Sequence, residues 1–140
     1  MNPTETIHGP SVSTSIRVRY AETDKMGVVY YANYLVWFEV GRTEWLRALG
    51  WTYRQMEIED GVALPVIEAQ CHYRQPARYD DELSIQTRAQ MLSGVRVAFH
   101  YEVRRNTDDA VIAVGQTIHA AVDRERRPCR LPERVRTLLA

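Results

Sequence analysis

Residues 20–49 read YAETDKMGVVYYANYLVWFEVGRTEWLRAL, and this stretch decides how the rest of the chain must be arranged. It holds an isolated carboxylate, Asp24, a glycine turn at Gly27, an apolar and aromatic run, and then a change to helical period. At about 100° per residue, Tyr34, Trp37, Phe38, Gly41, Trp45, Ala48 and Leu49 fall on one arc, which Leu35 and Leu46 widen to roughly half the circumference. A helix so broadly apolar must be covered on several sides. Gly50 follows its last periodic residue as a stop.

Upstream, residues 15–20 alternate Ile16, Val18 and Tyr20 against Arg17 and Arg19, the period-two pattern of a strand with one buried face. Residues 1–12 carry Pro3, Gly9 and Pro10 among small polar residues and read as a flexible N-terminal arm. Downstream, residues 51–60 suggest a short second helix closed by Gly61. Residues 62–73, 83–92, 95–105 and 110–123 then alternate as four strands. The polar connection over residues 75–81 is too long for a tight hairpin, whereas Ser93-Gly94 and residues 106–109 suit one. Residues 132–139 close the chain as a short helix opened by a proline. A strand, a long helix and four successive strands predict an α+β fold in a single domain over residues 1–140. Its five-stranded antiparallel sheet curves around one central helix. Bare sheet edges on such a unit predict a symmetric dimer at least.

The 140 residues match one domain of modal size, with 45% hydrophobic content sufficient for a core. Eighteen basic and eighteen acidic side chains cancel, so no overall field draws the chain to nucleic acid or an anionic membrane. Cys71 and Cys129 match no metal or redox spacing. No apolar run approaches the ~20 residues of a membrane span, and the N-terminus lacks the features of a signal peptide. A reduced, cytoplasmic protein is expected.

Asp24 sits between a strand end and a helix start, followed by the apolar run of residues 26–31. Its bland reading is a turn aspartate. Its chemical reading is a base or nucleophile held against apolar surface, beside helix N-terminal amides suited to an oxyanion. Tyr20, Tyr30 and Tyr31 suit an acyl pocket or the core. Asn33 is placed to cap the helix, and Glu39 with Arg42 to form a structural ion pair. His72, His100 and His119 fall in strands without metal-ligand spacing and read as structural. The serines lack a nucleophile-elbow context. Arg88, Arg96, Arg124, Arg126 and Arg127 are candidates for meeting phosphates, with a solvated strand face as the alternative for each.

Asp24-Lys-Met-Gly27-Val-Val-Tyr30-Tyr31-Ala-Asn33-Tyr34, followed by Phe38-Glu39 and Arg42-Thr43-Glu44, resembles the signature of the hydroxybenzoyl-CoA thioesterase family of hotdog-fold acyl-CoA thioesterases. The Tol-Pal-associated group looks closest. The resemblance runs from about Ser15 to Asp123 and includes Pro76 and the Tyr79-Asp80-Asp81 turn. It implies hydrolysis of an acyl-CoA, with Asp24 as the catalytic carboxylate and the backbone N–H of Tyr31 polarising the thioester carbonyl. Tyr20, Gly27, Val28, Tyr30 and Asn33 are then expected to line the substrate. It also implies a site shared between subunits of a dimer or tetramer, with no metal and no cofactor beyond the coenzyme A of the substrate. Many members of the Tol-Pal-associated group carry histidine where this chain has Tyr31, so the backbone donor is carried over and a histidine role is not. Two rival readings remain. One is a non-catalytic acyl-CoA or acyl-carrier-binding module. The other is a dehydratase, whose chemistry wants a histidine near the helix, and none occurs over residues 10–71.

Overall fold

The structure, a computed structural model, describes residues 10–140. Strand β1 (Val12–Arg17) leads through a 3-10 turn (Tyr20–Glu22) into helix α1 (Asn33–Ala48). Helix α2 (Tyr53–Gln55) runs on into a wide turn at Met56–Asp60, and β2 (Val66–Tyr73), β3 (Glu82–Met91), β4 (Arg96–Arg105), β5 (Val111–Ala120) and α3 (Glu133–Leu139) complete the chain. The five strands form one antiparallel sheet in the order β1-β3-β4-β5-β2, with α1 packed on it. This is the hotdog arrangement expected from the sequence.

Both boundaries of the first strand differ from expectation, and β2 starts at Val66 rather than at residue 62. The first strand begins at Val12, which pairs with Thr87, so part of the supposed arm belongs to the sheet; residues 1–9 of that arm lie outside the described residues. The strand also ends at Arg17, and Tyr20 sits in the 3-10 turn. Alternation alone does not register that this turn is closed by the amide of Glu22 donating to Arg19 O (2.9 Å).

The apolar arc of α1 is buried as its period requires, through Tyr34, Trp37, Phe38, Gly41, Trp45 and Leu46. Phe38 stacks on Tyr101 of β4 at 4.3 Å, and Trp45 meets Phe99 edge-on at 5.5 Å. Each such fully buried large side chain contributes roughly 1.5–3 kcal/mol. Gly41 sets how closely the helix approaches the sheet: a Cβ there would lie 2.5 Å from Thr87 Oγ1 and 2.9 Å from Ile85 Cγ2. The helix stops where expected, at Gly50 with φ +84°.

Under the helix runs a buried polar chain that the strand pattern does not reveal. His119 Nδ1 lies 2.8 Å from Leu64 O, which accepts, so Nδ1 carries the proton. Nε2 is then the acceptor for the Thr117 hydroxyl at 2.8 Å, and Thr117 Oγ1 accepts from the Tyr101 hydroxyl at 2.6 Å. Burial pushes the His119 pKa below its ordinary value and keeps the ring neutral.

Strand β2 is the exception to the burial pattern. Among the described residues it pairs only with β5 and its other edge is open, and seven of its eight residues are exposed. Val66, Ile67 and Tyr73 are each close to half exposed.

Candidate active site

The chain between β1 and α1 folds as a small hairpin. Thr23 bridges Val29, the Asp24 amide donates to Val28 O at 2.8 Å, and the Gly27 amide donates to Asp24 O at 3.0 Å. Gly27 takes φ +77°, a conformation that favours glycine, in otherwise open space. Asp24 Oδ1 accepts from the amides of Met26 (2.8 Å) and Val28 (3.4 Å), which fixes the carboxylate as in an Asx turn. Val28 also bridges Arg78.

Within one chain Asp24 is exposed, and so is Met26. The expectation of a carboxylate already held against apolar surface is therefore corrected: Met26 points to solvent from the hairpin tip, and Val29 turns away into the core.

Helix α1 begins directly after the hairpin. Among the described residues, the backbone N–H groups of Tyr31 and Ala32 have no backbone acceptor, while the carbonyls of Tyr30, Tyr31 and Ala32 accept from Asn33, Tyr34 and Leu35. Free N–H groups at a helix start are suited to a developing negative charge. Asn33 does not cap the helix. Ala32 occupies the cap position without a side-chain bond, and Asn33 Nδ2 instead donates to Glu22 O at 2.9 Å. The reason is that the helix starts one residue earlier than a cap at Asn33 requires.

Rings surround this entrance. Tyr30 and Tyr31 lie 4.7 Å apart, Tyr31 meets Tyr73 edge-on at 6.4 Å, and Tyr34 meets Tyr73 at 5.3 Å. Burial pushes the phenols of Tyr34 and Tyr73 up to about 12, so both stay protonated at neutral pH. Tyr20 stands apart, packed edge-on against Tyr79 at 5.8 Å.

At the other end of β2 lies an open cleft of about 970 Å³ between α1 and the segment preceding β2, lined by Arg42, Tyr53, Leu64, Pro65, Val122 and Arg124 among others. Glu39 and Arg42 also line it but form no ion pair with each other, contrary to expectation. Burial raises the Tyr53 and Tyr101 phenols, and the nearby Arg42 charge opposes that rise. Arg126 lines this cleft as well, whereas Arg88 lines a hollow on the sheet near His72 and His100. Among the described residues, no group of three or more His, Cys, Asp or Glu side chains is placed to hold a metal ion.

Three features of the site escaped the sequence. Glu22 is buried beside the hairpin, Tyr73 reaches the helix start from a strand, and the cleft forms between segments distant in the chain. A glutamate two residues before Asp24 carries no local sign that it will be buried.

The profile of the thioesterase-like superfamily matches residues 18–139. The chain belongs to that superfamily. Among its relatives, YneP of Bacillus subtilis is 39% identical over 110 residues, covering 79% of this chain and 78% of the relative. The acyl-CoA thioesterase YbgC of Haemophilus influenzae is 38% identical over 95 residues, covering 68% and 70%. Among solved structures, a DHNA-CoA thioesterase from Staphylococcus aureus is 33% identical with a TM-score of 0.80, covering 86% of this chain and 80% of that one. Among the described residues of this thioesterase-like protein, no helix is long and apolar enough to cross a membrane.

Proposed function

We propose that this member of the superfamily hydrolyses acyl-CoA thioesters, with Asp24 as the reacting carboxylate and the Tyr31 N–H as the oxyanion donor. The activity is the one that its relatives carry in their names. The observation supporting the roles is the juxtaposition on one short hairpin: a carboxylate held in place by two amides and, seven residues later, a helix-start N–H without an acceptor. The thioester carbonyl oxygen accepts from that N–H as the tetrahedral centre forms. Either Asp24 attacks the carbonyl carbon, giving a mixed anhydride that water then opens, or Asp24 takes a proton from the water that attacks. Both routes break the C–S bond, release coenzyme A as its thiol and leave the free acid.

The working unit is a dimer built across the open edge of β2. A strand of eight residues at about 3.3 Å each separates its ends by roughly 23 Å. In one chain, the Asp24 hairpin lies near the Tyr73 end, and the cleft lies near the Val66 end. An antiparallel pairing of two β2 edges about a two-fold axis sets the hairpin of one copy against the cleft of the other. That contact desolvates Asp24, which a single chain leaves exposed. The acyl group then enters the cleft, with Tyr20, Gly27, Val28, Tyr30 and Asn33 supplying the hairpin side.

Asp24→Asn tests the assignment directly. Its amide oxygen still accepts from Met26 and Val28, so Tm holds, while thiol release across a set of acyl-CoAs falls by roughly a thousandfold or more. Near-normal turnover would remove Asp24 from the chemistry. Acyl-CoA binding without thiol release by the parent chain would favour the binding-module reading instead. In a single turnover in ¹⁸O water, label in the Asp24 carboxylate requires the covalent route, with water opening the anhydride at the aspartyl carbonyl.

A further inference from the structure

We infer that Glu22 is a positioning residue of the Asp24 site, clamping the hairpin to the body of helix α1. The inference rests on the roles proposed for Asp24 and Tyr31. Glu22 is 6% exposed, the only buried carboxylate among the described residues. Its Oε2 accepts from the indole Nε1 of Trp37 at 3.0 Å, and its Oε1 accepts from the Arg19 amide at 2.8 Å. Its own carbonyl accepts twice more, from the Tyr30 amide and from Asn33 Nδ2, each at 2.9 Å.

These bonds reach three separate pieces of chain. Arg19 is the exit of β1, Tyr30 and Asn33 flank the free N–H of Tyr31, and Trp37 lies one turn inside α1. Asp24 stands two residues from the clamp on one side, and Tyr31 stands one residue from the clamped Tyr30 on the other. The distance from carboxylate to oxyanion donor is thus set by a residue that touches neither.

Charge alone does not explain the burial. The Arg19 guanidinium lies 3.4 Å from Oε1, but its side chain is 77% exposed, where an ion pair is worth little. The Trp37 indole and the Arg19 amide are instead N–H donors that require an acceptor on both carboxyl oxygens. A glutamine in the same place presents NH₂ to one of them, donor against donor, at unchanged volume.

The test combines turnover with amide hydrogen exchange on the full chain, for Glu22→Gln and for Trp37→Phe, which leaves Oε2 without its indole donor. Tyr101→Phe, which loses a buried hydroxyl far from the hairpin, is the stability control. Both clamp variants are expected to lower kcat roughly 10–100-fold with KM within about threefold, because small displacements of reacting groups are costly. The amides of Asp24, Gly27 and Tyr30 should exchange faster in both, while β4 stays protected. The control should keep kcat within about twofold at a similar loss of Tm. The inference is overturned if kcat in the clamp variants stays within about twofold as in the control, or if hairpin exchange is unchanged. Should the parent chain release no thiol from any acyl-CoA, the thioesterase reading fails, and the exchange result alone decides the clamp.

Discussion

The hydroxyl of Tyr73, at the end of β2, donates to the carbonyl of Tyr31 at 3.1 Å, tying the open edge strand to the start of the central helix. That carbonyl belongs to the same peptide unit as the free N–H of Ala32. Tyr73→Phe removes the bond but keeps the ring contacts with Tyr31 and Tyr34. A hydrogen bond of this kind is worth about 0.5–1.5 kcal/mol. Steady-state thiol release should show kcat lowered roughly 2–10-fold, and an unchanged kcat would separate the strand from the site.

Gly41 tests the helix-sheet approach. Alanine gains about 1 kcal/mol of helix propensity over glycine. Its Cβ, however, would sit 2.5 Å from Thr87 Oγ1, inside any real contact, and overpacking of this kind costs about 1–3 kcal/mol or more. The clash wins. Gly41→Ala should therefore lower Tm by roughly 5 °C in a thermal melt, corresponding to about 2 kcal/mol net.

His119 gives the pH dependence a sign. Its folded pKa lies below the ordinary 6.5, so the unfolded chain binds the extra proton first as pH falls. Its contribution is complete above about pH 6.5 and is lost as pH drops through the folded value. His100, lowered chiefly by burial, acts in the same direction. Denaturant unfolding at pH 7 and pH 5 should show a smaller loss for His119→Gln than for the parent chain. An equal loss in both would mean that the imidazole is not held neutral.

The shared site predicts complementation. Asp24→Asn and Leu64→Trp, which fills the cleft, should each be inactive alone, yet refolding them together should restore activity. Half of randomly formed dimers are mixed, and each mixed dimer carries one site free of both changes, giving about a quarter of the parent activity. No recovery would place hairpin and cleft in separate sites. Charged residues introduced together at Val66 and Ile67 should shift the sedimenting species toward the single chain.

Tyr31 separates backbone from side chain. Tyr31→Ala keeps the N–H, so kcat should stay within about threefold while KM and acyl preference change as a ring leaves the entrance. A collapse of kcat would give the phenol itself a chemical role.

Most of the fold was legible because it rests on periodicity. The apolar arc of residues 34–49 required a covering sheet, and Gly50 and Gly61 marked turns that both take positive φ. Asp24 and Gly27 were legible as a turn because their conformational needs are local. Asn33 and the Glu39–Arg42 pair were misread for the opposite reason: spacing along a helix states which groups are near, whereas distant partners decide which bond forms. Asn33 found Glu22, and Arg42 forms no ion pair with Glu39.

The sequence by itself determined the central helix, the strand count and the turn at Asp24 and Gly27, all properties carried by neighbours a few residues apart. Only the tertiary structure decided that β2 lies at the far edge beside β5, that Glu22 is buried under the hairpin, and that the cleft and Asp24 stand at opposite ends of one strand. Those depend on hydrogen bonds and burial between residues far apart in the chain, which no local pattern encodes.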